Sequence, residues 1–310
     1  MTSYALLDAG GGRGRRPLLR SLLFAPASHE RHASKALISR ADAAILDLED
    51  SVAMDSKAAA RAAVEKLLLG RAEQRPLAFV RINGMATPQA YPDLLAVVRP
   101  GLDAIVVPKV ESAQQVASLG WLLDQLEQER GVTPGSVAIL PIVETARGVA
   151  AATEIAAASP RVWTLNFGIG DFAVDTGMRP YTGHPGVAVA RTLVVLACRV
   201  AGVDAPIDTA HLDLDGSESL AAEAEEARRL GFQGKACIHP DQIAVVLRAF
   251  SPTPEEVARA RCVVEAFDRA VGLGNASIRV GADFVDYPVA ERARRLLELA
   301  ARAEYEDGRP

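Results

Sequence analysis

A short run of β-branched and aliphatic residues, followed by an alanine-rich amphipathic stretch, recurs along most of this 310-residue chain. The runs are SLLFAP (21–26), AAILDLE (43–49), LAFVRIN (77–83), AIVVPK (104–109), VAILPIVE (137–144), VWTLNFG (162–168), APIDT (205–209) and KACIHP (235–240). Helix candidates such as SKAAARAAVEKLLL (56–69) and SAQQVASLGWLLDQLEQER (112–130) lie between them. Alternation of this kind points to βα units joined into a parallel sheet. Eight strands with seven intervening helices predict an α/β fold, the (β/α)8 TIM barrel. The competing open, doubly wound sheet often begins with a glycine-rich first turn, and SLLFAPASHE has none. The stretch VAVARTLVVLACRVAG (187–202) is apolar on nearly all sides and is expected to be well buried.

Beyond the eighth run, TPEEVARARCVVEAFDRAV (253–271) predicts a helix with a Thr253 N-cap and Pro254 in its first turn. GNASIRVGADFVDYP (274–288) predicts two short extended pieces broken by glycine, and a further helix follows. The expected organisation is a flexible leader (1–17), a barrel (18–250), a C-terminal helical extension (251–304) and a frayed tail (305–310). The extension exceeds what an eighth βα unit needs, so it reads as an arm or cap reaching a neighbouring subunit.

A formal charge of −5 argues against a nucleic-acid-binding domain, which is usually strongly basic. No apolar stretch approaches ~20 residues, so no membrane span is expected. Cys198, Cys237 and Cys262 are odd in number and widely spaced, unlike a disulfide framework or zinc site. The start, MTSYALLDAGGGRGRRP, lacks the apolar core of a signal peptide. A cytoplasmic location is expected.

In such barrels the active site lies at the C-terminal ends of the strands. Those ends carry Ser28, Asp47, Glu49, Arg81, Asn83, Lys109, Glu144, Asp171, Asp208 and His239. A chain leaving the core accounts for any one polar residue, but less readily for eight strand ends with both charge signs. Glu144 and Asp171, from neighbouring strands, suit a hard cation such as Mg²⁺, which is often held by one or two carboxylates with water and substrate. The alternative is ion pairing of these acids with Arg81 or Lys109. Gly168 and Gly170 let the backbone come close to a ligand. Arg81 can grip a substrate carboxylate with two parallel hydrogen bonds. Arg20, Lys57 and Arg61 suggest a phosphate-binding face, or else a solvated helix surface. Lys109 at a strand end raises Schiff-base chemistry, against a simpler role as neutralising charge. His239 reads as a supporting hydrogen-bonder.

RSLLFAPAS, AILDLEDSVAMDSKAAAR, VRIN, IVVPKVES, PIVETARGV, NFGIGDFAVDTG, LGFQGKACIHPDQI and GADFVDYPV occur in this order. Together they resemble the citrate lyase beta-subunit-like group of the HpcH/HpaI aldolase superfamily, which includes malyl-CoA, citramalyl-CoA and citryl-CoA lyases. The resemblance covers roughly residues 18–300. It implies a Mg²⁺-dependent lyase (Mn²⁺ as a substitute) that acts on a CoA or acyl-carrier thioester and releases a small 2-oxo acid. It implies Glu144 and Asp171 as metal ligands and Arg81 as the group that binds substrate and stabilises the enolate. Glu49 and Asp50 match an acidic motif beside the metal's water shell. Lys57 and Arg61, joined by Arg20, match positions associated with the CoA phosphates. Asp286 matches an acid/base on the C-terminal segment, often delivered by an adjacent subunit, and trimers or hexamers are implied. The first block departs from the usual pattern at Ala27, where glycine is the rule, which bears on the acyl group. Two other readings are a thioesterase using the same cleft and the beta subunit of a citrate lyase-like complex.

Overall fold

The apolar runs form eight parallel strands that pair in sequence order, and the last pairs back onto the first to close a barrel. They are β1 (Ser21–Pro26), β2 (Ala43–Asp47), β3 (Leu77–Arg81), β4 (Ala104–Val107), β5 (Ala138–Val143), β6 (Asn166–Phe167), β7 (Ile207–Asp208) and β8 (Gly234–Cys237). This is a computed structural model, and it describes residues 16–71, 75–180 and 183–308. Nearly all of the expected leader lies outside the described residues.

Helices α1 (Glu30–Ala36), α2 (Lys57–Leu69), α3 (Ala90–Val97), α4 (Ala113–Arg130), α5 (Ala146–Ala150), α6 (Ala152–Ala157), α7 (Ile169–Thr176), α8 (Pro185–Ala201) and α9 (Ser217–Leu230) connect the strands. A strand presents alternate residues to each face. Leu22, Ile45, Phe79, Val106, Leu140 and Ile142 accordingly pack together as the barrel core. Two residues further on, the same inward rows continue into Asp47 on β2 and Arg81 on β3, which are direct register partners.

Strands six and seven are shorter than expected. The stretch 162–168 keeps only a bridge between Val162 and Ile139 before β6 begins. The Thr164 hydroxyl donates to the carbonyls of Asp204 and Ala205, both at 2.8 Å. Pro206, with no N–H to donate, limits β7. Helix α8 is not buried all round. Val187, Ala190, Val194 and Ala197 are buried, whereas Val189, Leu193, Leu196 and Val200 are exposed. An outer helix of a barrel covers its apolar neighbours with only one face.

The chain divides into a unit of residues 19–247 and a second of 16–18 with 248–308. Helix α10 (Gln242–Phe250) runs across that sequence boundary. The second unit contains α11 (Pro254–Gly272), an antiparallel hairpin of β9 (Ser277–Val280) and β10 (Asp283–Asp286), and α12 (Tyr287–Asp307). Thr253 caps α11 and exchanges hydrogen bonds with Glu256. Val263, Phe267, Val285 and Ala290 form its own apolar cluster. Helix α12 runs past residue 305, where a frayed tail was expected. Among the described residues, no helix is long and apolar enough to cross a membrane.

Candidate active site

The C-terminal ends of the strands surround a cavity of about 440 Å³, a volume suited to a small ligand. Asp47, Asp50, Arg81, Glu144, Asn166 and Asp171 line it, together with apolar side chains that include Phe24 and Ile142.

Asp47 and Arg81 form a two-bond fork, with Arg81 Nε and Nη2 donating to the two carboxylate oxygens at 2.7 and 2.8 Å. Asp47 also accepts from the backbone N–H groups of Glu49 and Ser51. Burial pushes the Asp47 carboxyl up, but Arg81 and these donors outweigh it and hold it below the ordinary range. The Arg81 guanidinium stacks on Phe24 at 5.0 Å. One edge of the guanidinium is therefore committed to Asp47, and only its remaining N–H groups are available to a ligand. Arg81 Nη1 lies 3.1 Å from Glu49 Oε2. That contact lacks hydrogen-bond geometry, so the oxygen is buried without a hydrogen-bond donor.

Glu144 follows β5 by one residue and continues its inward row. Its Oε1 accepts from the Lys109 backbone N–H at 2.8 Å. Burial, then the nearby Asp171 and Glu49 carboxylates, push its carboxyl up to about 8. Asp171 is not at a strand end. It sits in the first turn of α7, because β6 stops at Phe167 and Gly168 caps the helix. Gly168 permits a close approach: a Cβ there would meet the Glu144 carboxylate and stand 2.8 Å from Glu144 Cβ. At Gly170, which also lines the cavity, a Cβ meets no protein atom within 4 Å.

Lys109 reaches across these acids. Its Nζ donates to Glu49 Oε1 at 2.7 Å and lies 3.7 Å from Asp50 and 3.6 Å from Asp171. Burial would lower a lysine, but the Glu49 hydrogen bond and the surrounding carboxylates raise it above its ordinary value. A Schiff base needs the neutral amine. The position of Nζ among three carboxylates suits the charge-neutralising alternative.

Lys57 and Arg61 lie close by but are already engaged. Lys57 Nζ donates to the carbonyls of Leu48 and Glu49, both at 2.6 Å, which fixes the loop bearing the acidic motif. Arg61 bonds Gln89 and Asp93, and Asp93 in turn accepts from Asn83. Arg20 is not brought to the mouth. It precedes β1, at the opposite end of the barrel, where it is buried and forked to Asp42 at 3.0 and 3.1 Å. Asp208 points outward, paired with Arg191 and Lys235. His239 lies beyond β8 and is about half exposed. Asp286 belongs to the second unit, at the end of β10, where its carboxylate accepts from Val289 N–H and caps α12.

Sequence reasoning missed the Asp47–Arg81 fork, the Phe24 stack and Asn166. The fork was recoverable from register, since both residues end adjacent strands on one face. Asn166 is inward-facing because it pairs with Ile142.

Among the described residues, no three or more His, Cys, Asp or Glu side chains gather as a metal site. The pair Glu144 and Asp171 nevertheless fits Mg²⁺, which keeps several waters and often takes only one or two carboxylates. A buried carboxyl displaced upward by its acidic neighbours is one that a cation stabilises in its ionised form.

A closed (β/α)8 barrel with acids and bases converging at its C-terminal mouth defines the class of TIM-barrel enzymes. The HpcH/HpaI aldolase/citrate lyase family matches residues 20–240, and the chain belongs to that family. It is 34% identical over 283 residues to citrate lyase subunit beta of Leuconostoc mesenteroides, covering 91% of this chain and 93% of that one. It is also 34% identical over 302 residues to the L-malyl-CoA/beta-methylmalyl-CoA lyase of Cereibacter sphaeroides, covering 91% and 94%. Its fold is similar to that of CitE from Mycobacterium tuberculosis in complex with magnesium, acetoacetate and coenzyme A. The TM-score is 0.76 at 31% identity, covering 92% of this chain and 98% of that one. The chain is a lyase.

Proposed function

We propose that this lyase is Mg²⁺-dependent and cleaves a 3-hydroxyacyl-CoA thioester of the malyl-, citramalyl- or citryl-CoA type into a 2-oxo acid and acetyl-CoA. The observation that carries this reading is the pair Glu144 and Asp171 lining one cavity with Arg81. The names of the relatives supply the thioester chemistry.

When bound, Mg²⁺ supplies Lewis acidity and a template for a hydroxyl and a carboxylate. The Arg81 N–H groups not bonded to Asp47 meet the substrate beside Glu49, and their orientation is held by Asp47 and Phe24. Lys109 keeps the acidic wall from repelling an anionic ligand. The substrate hydroxyl gives its proton to a carboxylate at the mouth. The bond between the hydroxyl-bearing carbon and the thioester α-carbon then breaks. The oxygen's electron pair forms the carbonyl of the 2-oxo acid, and the bonding pair moves into the thioester enolate. Arg81 stabilises that developing charge, as preorganised donors do. Asp286, delivered by an adjacent copy of the chain, donates a proton to the enolate carbon to give acetyl-CoA, and Lys57 and Arg61 shape the entrance on the CoA side. A second reading, favoured by the name of the Leuconostoc relative, is a beta subunit acting on a carrier-bound citryl thioester.

The purified protein should be incubated with malyl-CoA, citramalyl-CoA and citryl-CoA, with Mg²⁺ or EDTA, and 2-oxo acid and free thiol measured separately. Oxo acid without thiol, lost in EDTA, supports the lyase. Thiol without oxo acid makes the protein a thioesterase. Turnover that survives EDTA removes the metal from the reading.

A further inference from the structure

Asn166 is polar at a position where packing alone is better served by an apolar side chain. It is 3% exposed, and its Oδ1 is buried without a hydrogen-bond donor. Its register partners on the two neighbouring strands are Ile142 and Ile207, whose side chains carry no polar atom. A buried polar atom left unpaired destabilises a fold, and an apolar side chain of similar shape avoids that loss. Nearly all buried polar side chains have a partner. Asn166 lines the cavity, so the partner it lacks within the chain can come from a ligand.

The depth of Asn166 decides which part of a ligand meets it. Two residues further along the same inward rows stand Gly168 and Glu144. At a strand rise of ~3.3 Å per residue, Asn166 lies about 7 Å deeper in the barrel than Gly168. In the lyase reading above, on which this inference rests, the hydroxyl-bearing carbon has four substituents. Its hydroxyl and carboxylate turn toward Glu144 and Asp171. The thioester arm leads to the bulky CoA and must leave by the mouth. The fourth substituent therefore points inward, toward Asn166. It is hydrogen in a malyl substrate, methyl in a citramalyl substrate and carboxymethyl in a citryl substrate.

A carboxamide has an acceptor oxygen and two donor N–H groups, and a half-turn about its last torsion exchanges their places. It can therefore donate to a carboxylate arm, whereas a methyl group leaves it unpaired. Other polar groups of the lining are already engaged. Asp47 and Arg81 hold each other, and Thr209 Oγ1 accepts from the Ile169 N–H at 3.0 Å. A site that hydrogen-bonds a substrate group rejects the analogue lacking it more strongly than an apolar pocket rejects a change of one methylene.

We propose that Asn166 is a specificity-determining residue of this site. It donates to a carboxymethyl substituent on the hydroxyl-bearing carbon and disfavours methyl there, which selects a citryl-type substrate over a citramalyl-type one.

Calorimetric titration of the Mg²⁺-loaded protein with glyoxylate, pyruvate and fresh oxaloacetate reads this selection without turnover. The unaltered protein should bind oxaloacetate about tenfold or more tighter than pyruvate. Asn166→Leu should lose that preference, with oxaloacetate binding weakened and pyruvate binding unchanged or tighter. Its ligand-free melting temperature should be no lower than that of the unaltered protein, because an unpaired amide is removed. Asn166→Ala, which cannot overfill the floor, should lose the preference in the same way. A preference for oxaloacetate that survives both substitutions, or that is missing from the unaltered protein, overturns the role of Asn166 and leaves the lyase reading standing. Failure of all three oxo acids to bind removes that reading, and this inference with it.

Discussion

Lys109 is bound to Glu144 through its backbone and to Glu49 through its side chain: its N–H donates to Glu144 Oε1 at 2.8 Å and its Nζ to Glu49 Oε1 at 2.7 Å. It does so with a φ of 53°, a left-handed conformation that a non-glycine residue adopts at a cost. Strain of this kind persists where the surroundings over-determine it, and it concentrates at functional sites. One residue thus fixes a candidate metal ligand with its main chain and balances the acidic wall with its side chain.

Those two roles can be separated by substitution. Lys109→Met removes the charge and keeps the N–H, and kcat/KM should fall by about tenfold or more, as for loss of an electrostatic group at a reacting centre. Lys109→Arg should recover a large part of the loss. If Lys109→Met acts like the unaltered enzyme, the ammonium has no part in turnover. Borohydride should trap no adduct with the native protein.

The Asp47–Arg81 fork is buried, so breaking it on one side should be costly. Asp47→Ala leaves a largely buried guanidinium without its main partner and should lower stability by about 3–5 kcal/mol, read from urea unfolding. The pH dependence has a definite sign. Asp47 is held below its ordinary value in the folded protein, so near pH 4 the unfolded chain binds more protons. The stability it contributes is present above the unfolded value of about 4 and is lost as pH falls through the folded one. Unfolding midpoints of Asp47→Asn should depend less on pH below about 4 than those of the unaltered protein.

Much of this site was legible in the sequence because strand periodicity is simple. The rows Ile45–Asp47 and Phe79–Arg81 follow from alternation and equal offset, and the barrel follows from eight βα repeats. What was not legible depends on how a strand ends. Nothing local announces that β6 stops at Phe167 and delivers Asp171 on a helix turn, or that Asp208 points outward to Arg191. Arg20 illustrates a second limit. A basic residue beside a strand looks alike at either end of a barrel, and only its pairing with buried Asp42 shows which end it serves. The exposed face of α8 shows a third, because apolarity on all sides does not reveal which faces the same chain covers.

Glu144 couples cation binding to protons. With its carboxyl pushed up to about 8, the metal-free protein holds a proton there at neutral pH, and that proton must leave when the carboxylate becomes a ligand. Mg²⁺ affinity should therefore rise about tenfold per pH unit below 8 and level off above it. Calorimetry near pH 7 in two buffers of different ionisation enthalpy should show close to one proton released per ion. The Glu144→Gln variant should release none and bind Mg²⁺ far more weakly.

Gly168 and Gly170 provide a paired test of the carboxylate cradle. Both lie in one turn beside Asp171, and neither has a positive φ, so alanine is sterically acceptable to the backbone at each. They differ in what a methyl would touch. At position 168 it runs into the Glu144 carboxylate and stands 2.8 Å from its Cβ, with Ile142 at 3.2 Å. Glu144 then has to swing away from the position in which Lys109 N–H holds it. At position 170 the methyl meets open space. Gly168→Ala, whose methyl also forces the backbone away from Glu144 Cβ, should be less stable than the unaltered protein, need a higher Mg²⁺ concentration for half-maximal activity and show a lower kcat. Gly170→Ala should titrate with Mg²⁺ like the unaltered enzyme. Equal Mg²⁺ curves for the two variants would mean that the position of Glu144 is not what the reaction depends on.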